Sequence, residues 1–329
     1  LEEIELWKPI WSKRQLVSIY FGGGTPSLFG QKRLAAILDA IQPSKDIEIT
    51  IEANPENITD QLMHEFFAIG INRVSIGVQS FHDGELVQLG RVHGASKAEK
   101  AISTTRDAGF ENISIDLMYE LPNQTSKSWQ KTLDVVERLP ITHLSLYNLT
   151  IEPYTAFHRK EKELKAMMPD EETGAQMYAD AISTLENFGL KQYEISAFCK
   201  NDLYSRHNIG YWIGREFLGL GPSAFSFFDG KRFQNVAHLI HYCDAIKEKR
   251  SPITFTDDVE PLSRKRELLA LNLRLNQGVD LVLFEPLEEE TQQSIKRLIS
   301  QELLSQENSR LLLTSRGRFF YDYIASEII

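Results

Sequence analysis

Short runs of apolar and β-branched residues recur along the first 200 residues of the chain. Six of them predict strands: 16–21 (LVSIYF), 47–52 (IEITIE), 73–78 (RVSIGV), 112–117 (NISIDL), 143–148 (HLSLYN) and 192–197 (QYEISA). Between these runs the apolar spacing becomes helical, as in the stripe at positions 34, 37, 38 and 41. Alternating strands and helices of this size predict βα units that build a parallel sheet.

Polar or glycine residues follow nearly every predicted strand. They are the glycine run at 22–24 with Thr25, then Glu52, Asn54, Gln79, Asp116 and Asn148. Sites in (β/α) barrels draw on the carboxyl ends of many strands, whereas a doubly wound sheet binds its ligand at one switch point. The distribution therefore favours an α/β fold that is a partial (β/α) barrel.

The pattern changes near Lys247. The charged stretch 247–263 (KEKRSPITFTDDVEPLS) is typical of a linker, and helical patterns at 268–275 and 288–300 precede a short apolar run at 311–314. Helices followed by a short hairpin indicate a winged-helix-like module. We expect a barrel domain at 1–246, a linker at 247–263 and the winged-helix-like domain at 264–329.

Charge and composition exclude several partners. The 329 residues carry a net charge of −10, and 285–290 contains four glutamates, which argues against nucleic acid because duplex binding depends on Lys and Arg at phosphates. No apolar run reaches the ~18 to 20 residues that a membrane span needs. The acidic start at Leu1 matches neither a signal nor a transit peptide, which predicts a cytoplasmic protein without a transmembrane segment.

The side chains at the strand ends suit a polar organic ligand. Three glycines allow backbone to approach a ligand closely, although a tight βα turn explains them equally well. Glu52 and Asp116 can accept hydrogen bonds from ribose hydroxyls, Gln79 can donate and accept, and Arg91 offers a planar fork to a carboxylate. Each alone could be a solvated strand end or a surface ion pair, but together they indicate a pocket for a nucleoside joined to an amino acid.

A series of motifs in fixed order gives the chain a resemblance. GGGTPS (22–27), IEANPENI (51–58), VSIGVQSF (74–81), LGRVHGA (89–95) and ISIDLMYELPNQT (113–125) resemble the radical SAM family of oxygen-independent coproporphyrinogen III oxidases and their HemW haem-chaperone relatives. The Gly-Arg-x-His form at 90–93 and the segment HNIGYW (207–212) resemble the HemW branch more.

The resemblance implies an S-adenosylmethionine site. Its residues would hold the methionine amino end, the ribose or amino groups, the methionine carboxylate and the adenosine of the cofactor. They are Gly23, Gly24, Thr25, Glu52, Gln79, Arg91, Asp116 and Thr150.

Two departures from the family pattern stand out. The family holds a 4Fe-4S cluster with a C-x-x-x-C-x-x-C loop, but this chain has only Cys199 and Cys243, which supply no metal ligands in that pattern. We expect a first strand, and the cluster loop that follows it, upstream of Leu1. The second departure is Glu120, where the family usually has Gly before Leu-Pro.

A haem site follows from the same resemblance. His207 is the candidate axial ligand, with aromatic neighbours that could cover a porphyrin, and His241 and Cys243 are lesser candidates. The alternative is that His207 makes structural hydrogen bonds while Tyr211 and Trp212 pack against the barrel.

The resemblance predicts a chaperone that binds S-adenosylmethionine, a 4Fe-4S cluster and haem, and delivers haem to acceptor proteins, some of them through peripheral membrane contact. One alternative is an oxidase that decarboxylates coproporphyrinogen propionates by radical chemistry. The other is a barrel that only binds a nucleoside or acts as a scaffold.

Overall fold

The computed structural model describes residues 1–155 and 157–329. These residues form two compact units. The sheet unit comprises Ser18–Ala35 and Glu48–Tyr204. The terminal unit comprises Leu1–Val17, Ala36–Ile47 and Ser205–Ile329.

The strands of the described residues are short, between two and eight residues each. They are β1 Ser18–Phe21, β2 Glu48–Ala53, β3 Arg73–Gln79, β4 Asn112–Tyr119, β5 His143–Asn148, β6 Lys191–Glu194, β7 Ala197–Cys199, β8 Phe225–Phe228, β9 Lys231–Asn235, β10 Ile253–Asp258, β11 Val279–Asp280, β12 Leu304–Glu307 and β13 Arg310–Leu313.

The helices alternate with the strands through most of the sheet unit. They are α1 Glu2–Trp11, α2 Gln31–Ile41, α3 Asp60–Ala68, α4 Asp83–Gln88, α5 Ala95–Asp107, α6 Ser126–Glu137, α7 Glu161–Met167, α8 Glu171–Asn187, α9 Arg206–Trp212, α10 Leu239–Lys247, α11 Pro261–Leu273, α12 Glu289–Ser300, α13 Ser315–Phe319 and α14 Tyr321–Ile328. Single 3₁₀ turns lie at Pro26–Phe29, Pro55–Asn57, His158–Lys160 and Leu281–Phe284.

The sheet unit is built on one mixed sheet in the order β1-β2-β3-β4-β5-β7-β6. The first five strands are parallel and adjacent in chain order, with helices in the connections. This arrangement confirms the predicted α/β fold of partial (β/α) barrel type, because parallel neighbours joined by helices are its repeating unit.

The sixth predicted strand, 192–197, is instead a hairpin of β6 and β7. The chain reverses at Ile195, whose carbonyl oxygen accepts hydrogen bonds from the Tyr178 hydroxyl at 2.8 Å and the Gln192 amide at 3.0 Å. The reversal lets β7 pair antiparallel with β5 and also with β6. The apolar run in the sequence did not show this reversal, because the Tyr178 hydroxyl that binds the turn belongs to α8, which is distant from it in the sequence.

One face of the parallel strands is polar. The register pairs Glu52 with Ser75, Ser75 with Ser114, and Asp116 with Ser145, so polar side chains of neighbouring strands stand side by side. The alternate positions are buried aliphatic residues. Because side chains alternate between faces, the strands separate an apolar helix-facing layer from a polar one.

In the terminal unit, α1 packs against the antiparallel sheet β10-β9-β8. The Trp7 ring stacks on Phe233 with centroids 5.3 Å apart. The buried Glu3 carboxylate accepts hydrogen bonds from Asn235 Nδ2 at 2.6 Å and the Tyr242 hydroxyl at 2.5 Å. These contacts fix α1 to β9 and α10 to α1.

The stretch 247–263, predicted to be a linker, contains β10 and the first turn of α11. Strand β10 pairs with β9 alone, and most of its side chains are exposed. An edge strand of this kind carries charged residues, which explains why its composition is typical of a linker.

The C-terminal residues form a separate small core. The sheet β11-β13-β12 packs with α11, α12 and α14 around buried apolar side chains that include Leu273, Leu298, Leu311 and Ile324. Helices followed by the β12–β13 hairpin confirm the winged-helix-like prediction. Across the described residues, no helix is long and apolar enough to cross a bilayer.

Candidate functional site

The glycine run lies in the turn that leaves β1. Gly23 and Gly24 have φ of 80° and 70°, in the left-handed region that favours glycine. A Cβ added at either residue would meet nothing within 4 Å. The backbone conformation, rather than crowding, therefore requires these glycines, and the space beside them is open to a ligand.

Glu52, at the end of β2, is oriented by Tyr20. The Tyr20 hydroxyl donates a hydrogen bond to Glu52 Oε1 at 2.7 Å. Burial and the neighbouring Glu52 charge raise the pKa of Tyr20 far above its ordinary value, so the phenol remains a donor. The sequence pattern missed Tyr20, because a tyrosine inside a strand usually packs in a core.

Asn54 contacts two of the predicted ligand-binding residues, Arg91 and Thr25, and lies near a third, Gln79. Arg91 Nη1 donates to Asn54 Oδ1 at 3.2 Å, and Asn54 Nδ2 lies 3.5 Å from Thr25 Oγ1. A Cβ added at Gly77 would lie 3.1 Å from Gln79 Nε2 and 3.3 Å from Asn54 Oδ1. A guanidinium, two amides and a hydroxyl thus converge from the ends of three strands and one loop.

Gln79 ends β3 in an unusual conformation. Its φ is 70°, and its side chain is almost fully buried. A non-glycine residue in the left-handed region stores strain, which folded proteins concentrate at functional sites. The strained turn aims the amide towards Asn54 and Arg91.

His93 holds the loop that carries Arg91. Its fully buried ring places Nδ1 3.1 Å from Glu56 Oε2 and Nε2 3.2 Å from the carbonyl oxygen of Val78. These contacts tie the loop after α4 to the ends of β2 and β3. His93 is therefore a positioning residue for the Arg91 guanidinium.

Asp116, on β4, has an unusual protonation equilibrium. Burial raises the pKa of Asp116 to about 6, against the lowering effects of a hydrogen bond from Ser145 and the Arg73 charge. Ser75 Oγ lies 3.5 Å from Asp116 Oδ1. Arg73 is itself buried, and its Nε has no hydrogen-bond partner among the described residues.

Glu120 lies at the position where the resembled family has glycine. Its φ of 57° explains that preference, because only glycine adopts this conformation without strain. Burial raises the pKa of its carboxyl group, which accepts a hydrogen bond from Asn148. The carboxyl group lies where a side chain on Gly174 of α8 would stand, so a larger residue at 174 would displace the Glu120 side chain from this position.

The other predicted residues lie apart from this cluster of contacts. Thr150 is exposed, two residues beyond the end of β5. His207 belongs to the terminal unit, where its Nε2 lies 2.9 Å from the Tyr211 hydroxyl. In the same segment, Arg274 Cζ lies 4.2 Å from the centroid of the Trp212 ring. The backbone carbonyl oxygen of Trp212 accepts a hydrogen bond from Asn272 Nδ2.

The cysteines do not form a metal site. Cys199 is buried, and burial raises the pKa of its thiol to about 11, while Cys243 lies in the other unit. Within 1–155 and 157–329 no group of three His, Cys, Asp or Glu could hold a metal ion. These residues therefore do not fit an iron–sulfur cluster.

The sheet-unit residues do fit the chemistry of S-adenosylmethionine. An Arg91 guanidinium suits a carboxylate, the carboxylates of Glu52 and Asp116 suit hydroxyl or ammonium groups, and the open glycine turn presents backbone groups. The arrangement can bind an amino acid joined to a nucleoside across the ends of β1–β4.

Two family models match the chain. The model described as the Radical SAM superfamily matches residues 1–136. The model described as the HemN C-terminal domain matches residues 259–320, which include most of the winged-helix-like core.

Curated relatives match over nearly the whole chain. "Heme chaperone HemW" of Bacillus subtilis is 34% identical over 313 residues, which are 92% of this chain and 83% of that protein. "Heme chaperone HemW" of Lactococcus lactis is 33% identical over 315 residues, with 92% and 82% covered.

A solved structure shares the fold. Coproporphyrinogen III oxidase (HemN) from Escherichia coli, described as a radical SAM enzyme, superposes with a TM-score of 0.86 over 99% of this chain and 81% of that chain. The two sequences are 23% identical, so this likeness shows the fold alone.

Proposed function

Because the chain belongs to the HemW family of haem chaperones within the radical SAM superfamily, we propose that it binds haem and delivers it to acceptor proteins. The chaperone is favoured over the oxidase because the relatives named as haem chaperones match most of both sequences. The oxidase is similar in fold, at lower identity.

We propose that S-adenosylmethionine binds at the carboxyl ends of β1–β4. The observation that carries this proposal is that Asn54 contacts both Thr25 and Arg91, with the Gln79 amide nearby. Arg91 would pair with the methionine carboxylate, and the backbone of the turn at Gly23 and Gly24 would hold the amino end.

The two carboxylates of the site would act differently. Tyr20 holds Glu52 in one orientation, where it can accept hydrogen bonds from an ammonium or a ribose hydroxyl. Asp116 would bind the cofactor best when ionised, because a carboxylate accepts stronger hydrogen bonds than a neutral acid. Thr150 would flank the adenosine from the end of β5.

When bound, S-adenosylmethionine supplies a bond between sulfonium sulfur and carbon, which an electron from a reduced 4Fe-4S cluster can cleave. Residues 1–329 offer no cysteine motif for that cluster, and the role we propose for the described side chains is to bind and orient the cofactor.

For haem, we propose His207 as the axial ligand. Imidazole is a common ligand of haem iron, and Tyr211 and Phe217 stack edge to face beside it. Iron at Nε2 would displace the Tyr211 hydroxyl, whereas iron at Nδ1 would leave that contact in place.

The proposal also covers the location and the partners of the protein. We propose a cytoplasmic chaperone whose partners are haem and haem-acceptor proteins, met in part through peripheral contact with a membrane surface.

Haem titration tests the chaperone function. Haemin added to the protein should give a saturable Soret band, and the His207→Ala variant should bind more weakly with an altered spectrum. A parallel anaerobic titration with coproporphyrinogen III in place of haemin should show no saturable binding. Saturable binding of coproporphyrinogen III without stoichiometric haem binding would contradict the chaperone and support the oxidase.

A further inference from the structure

Glu85, on the first turn of α4, carries a buried carboxylate that takes no part in the proposed cofactor contacts; the residue is 4% exposed. Ser80 Oγ donates a hydrogen bond to Glu85 Oε2 at 2.6 Å, and Gln124 Nε2 donates to the same oxygen at 3.1 Å. Ser128 Oγ donates to Glu85 Oε1 at 2.8 Å. Burying a carboxylate is costly unless its oxygens are hydrogen-bonded, and three uncharged donors supply those bonds to Glu85.

The three donors belong to different segments at the carboxyl ends of the strands. Ser80 connects β3 to α4, Gln124 lies in the loop after β4, and Ser128 belongs to the first turn of α6. Ser80 and Gln124 are buried. Both lie in the motifs VSIGVQSF and ISIDLMYELPNQT, at positions outside the proposed cofactor site. One carboxylate therefore joins three segments that are distant from one another in the sequence.

Ser80 links this carboxylate to the cofactor site because it directly follows Gln79. The backbone N–H of Ser80 donates to the carbonyl oxygen of Val78 at 3.0 Å, and Gln79 between them has a φ of 70°. These are the features of a γ-turn with positive φ, which is a rare and strained conformation. Strained backbone of this kind persists only where the surrounding contacts enforce it.

The contacts of the Ser80 hydroxyl enforce the turn. The hydroxyl oxygen accepts a hydrogen bond from the backbone N–H of His82 at 2.9 Å and donates its proton to Glu85. The side chain is thus held from two directions, and the backbone that follows the γ-turn is held with it. The Gln79 amide, which lies near the Arg91 guanidinium, keeps its direction for the same reason.

The backbone that carries Arg91 is anchored in a different way. The N–H of Leu89 donates to the carbonyl oxygen of Glu85 at 3.0 Å, and the N–H of Arg91 donates to the carbonyl oxygen of Leu86 at 2.9 Å. Because these bonds use backbone atoms alone, they survive a change of the Glu85 side chain. Such a change therefore affects the turn at Gln79 and leaves the base of the Arg91 side chain in place.

We propose that Glu85 is a positioning residue for S-adenosylmethionine binding, which acts by holding Ser80 and, through it, the strained turn at Gln79. The proposal rests on the proposed function, which puts the cofactor at the carboxyl ends of β1–β4. Without the carboxylate, Ser80 and Gln124 lose their shared acceptor, and Gln79 relaxes towards an ordinary extended conformation with its amide directed elsewhere. In this role Glu85 makes no contact with the cofactor itself.

Isothermal titration calorimetry of the full chain with S-adenosylmethionine tests this role. Glu85→Met keeps the length of the side chain but removes both acceptor oxygens, and it should raise the Kd about tenfold, which corresponds to about 1.4 kcal/mol. Glu85→Gln keeps one acceptor oxygen for Ser80 and Gln124 and should recover most of the affinity.

The matched control is Glu3→Met. Glu3 is similarly buried and also accepts three hydrogen bonds, from Gly221 N, Asn235 Nδ2 and the Tyr242 hydroxyl, but it belongs to the terminal unit. Its replacement should lower stability and leave the Kd for S-adenosylmethionine unchanged.

A second set of variants separates positioning from folding stability. Ser80→Ala and Ser128→Ala each remove one hydrogen bond to Glu85, so both should lower the free energy of unfolding measured in urea. Only Ser80→Ala should raise the Kd, because only Ser80 adjoins Gln79. In a Gln79→Ala background, Glu85→Met should change the Kd less than about twofold, since the residue through which it acts is absent.

The outcomes distinguish this role from the proposed function. If the unaltered chain binds S-adenosylmethionine and Glu85→Met binds it with the same Kd, the positioning role is wrong and the cofactor site stands. An undiminished effect of Glu85→Met in the Gln79→Ala background would also overturn the role. If Glu85→Met does not fold, Ser80→Ala decides the question, and an unchanged Kd for that variant refutes the link to Gln79. If the unaltered chain binds no S-adenosylmethionine, both proposals fail.

Discussion

Single residues of the candidate site combine conflicting demands. Asp116 must be ionised to accept hydrogen bonds well, yet burial raises its pKa to about 6. Gln79 takes a strained conformation, and Arg73 is buried with Nε unpartnered among the described residues. These features lower stability where a ligand would compensate, which is typical of binding sites.

Asp116→Asn should make the protein more stable near neutral pH and weaken S-adenosylmethionine binding. The carboxyl binds its proton more tightly in the folded chain, since an unfolded Asp has a pKa of about 3.9. Stability therefore falls as pH rises from about 4 through about 6. The substitution should raise the free energy of unfolding by about 1 to 3 kcal/mol at pH 7.

Urea denaturation at several pH values measures this difference, which should disappear below about pH 4. Asp39→Asn, which alters an exposed carboxylate on α2, is the control and should show no such pH dependence. If the free energy of unfolding of Asp116→Asn differed from that of the unaltered chain by the same amount at every pH, the role of the Asp116 charge would be contradicted.

Asn54→Ala should weaken S-adenosylmethionine binding about tenfold, since it removes the link between Arg91 and Thr25. Isothermal titration calorimetry measures the Kd. Asn57→Ala is a suitable control, because Asn57 closes the same turn after β2. Equal affinities for the two variants would remove Asn54 from the site.

At the scale of elements, the ends of strands are held by contacts with distant helices and loops. His93 ties the loop after α4 to β2 and β3. The turn between β6 and β7 depends on Tyr178 of α8. Beyond the end of β4, the Glu120 side chain lies against Gly174 of α8.

Gly174→Ala should displace the Glu120 side chain and destabilise the protein by no more than about 1 kcal/mol, because the displaced carboxyl group is the far end of a flexible side chain and loses only its hydrogen bond from Asn148. Glu120→Gly should relieve both this overlap and the left-handed strain at φ 57°. The double variant should therefore be more stable than Gly174→Ala alone. Additive free energies in a double-mutant cycle would show that the two positions are independent.

At the scale of the molecule, the chain forms a barrel-type sheet unit and a terminal unit, and each unit combines segments that are separated in the sequence. The proposed S-adenosylmethionine residues belong to the first, and the proposed haem residues to the second. The net charge of −10 and the glutamates at 285–290 oppose nucleic acid as a ligand of the winged-helix-like core.

S-adenosylmethionine should stabilise the folded chain by mass action. At a concentration of 100 times its Kd, the free energy of unfolding should rise by about 2.7 kcal/mol. Differential scanning calorimetry measures the shift, and Arg91→Ala should reduce it. Adenosine alone should stabilise less, because it offers no carboxylate to Arg91. An unchanged melting temperature at saturating S-adenosylmethionine would contradict the proposed site.

The sequence by itself determined the parallel strands, the polar residues at their ends and the family. Strands β1–β5 lie within two residues of the predicted runs at nearly every end, because alternation and β-branched residues act through near neighbours in the chain. The glycine turn and the residues Glu52, Gln79 and Asp116 are predicted as site residues in the same way, from their place directly after or within a strand.

Only the tertiary structure decided which of these residues meet. Asn54 bridges Arg91 and Thr25 because β1, β2 and β3 are neighbours in register, and Glu120 is accommodated by a glycine on a later helix. The hairpin of β6 and β7 likewise depends on packing. Local periodicity determines what a segment becomes, whereas strand order and side-chain packing, which are non-local, determine which segments share a site.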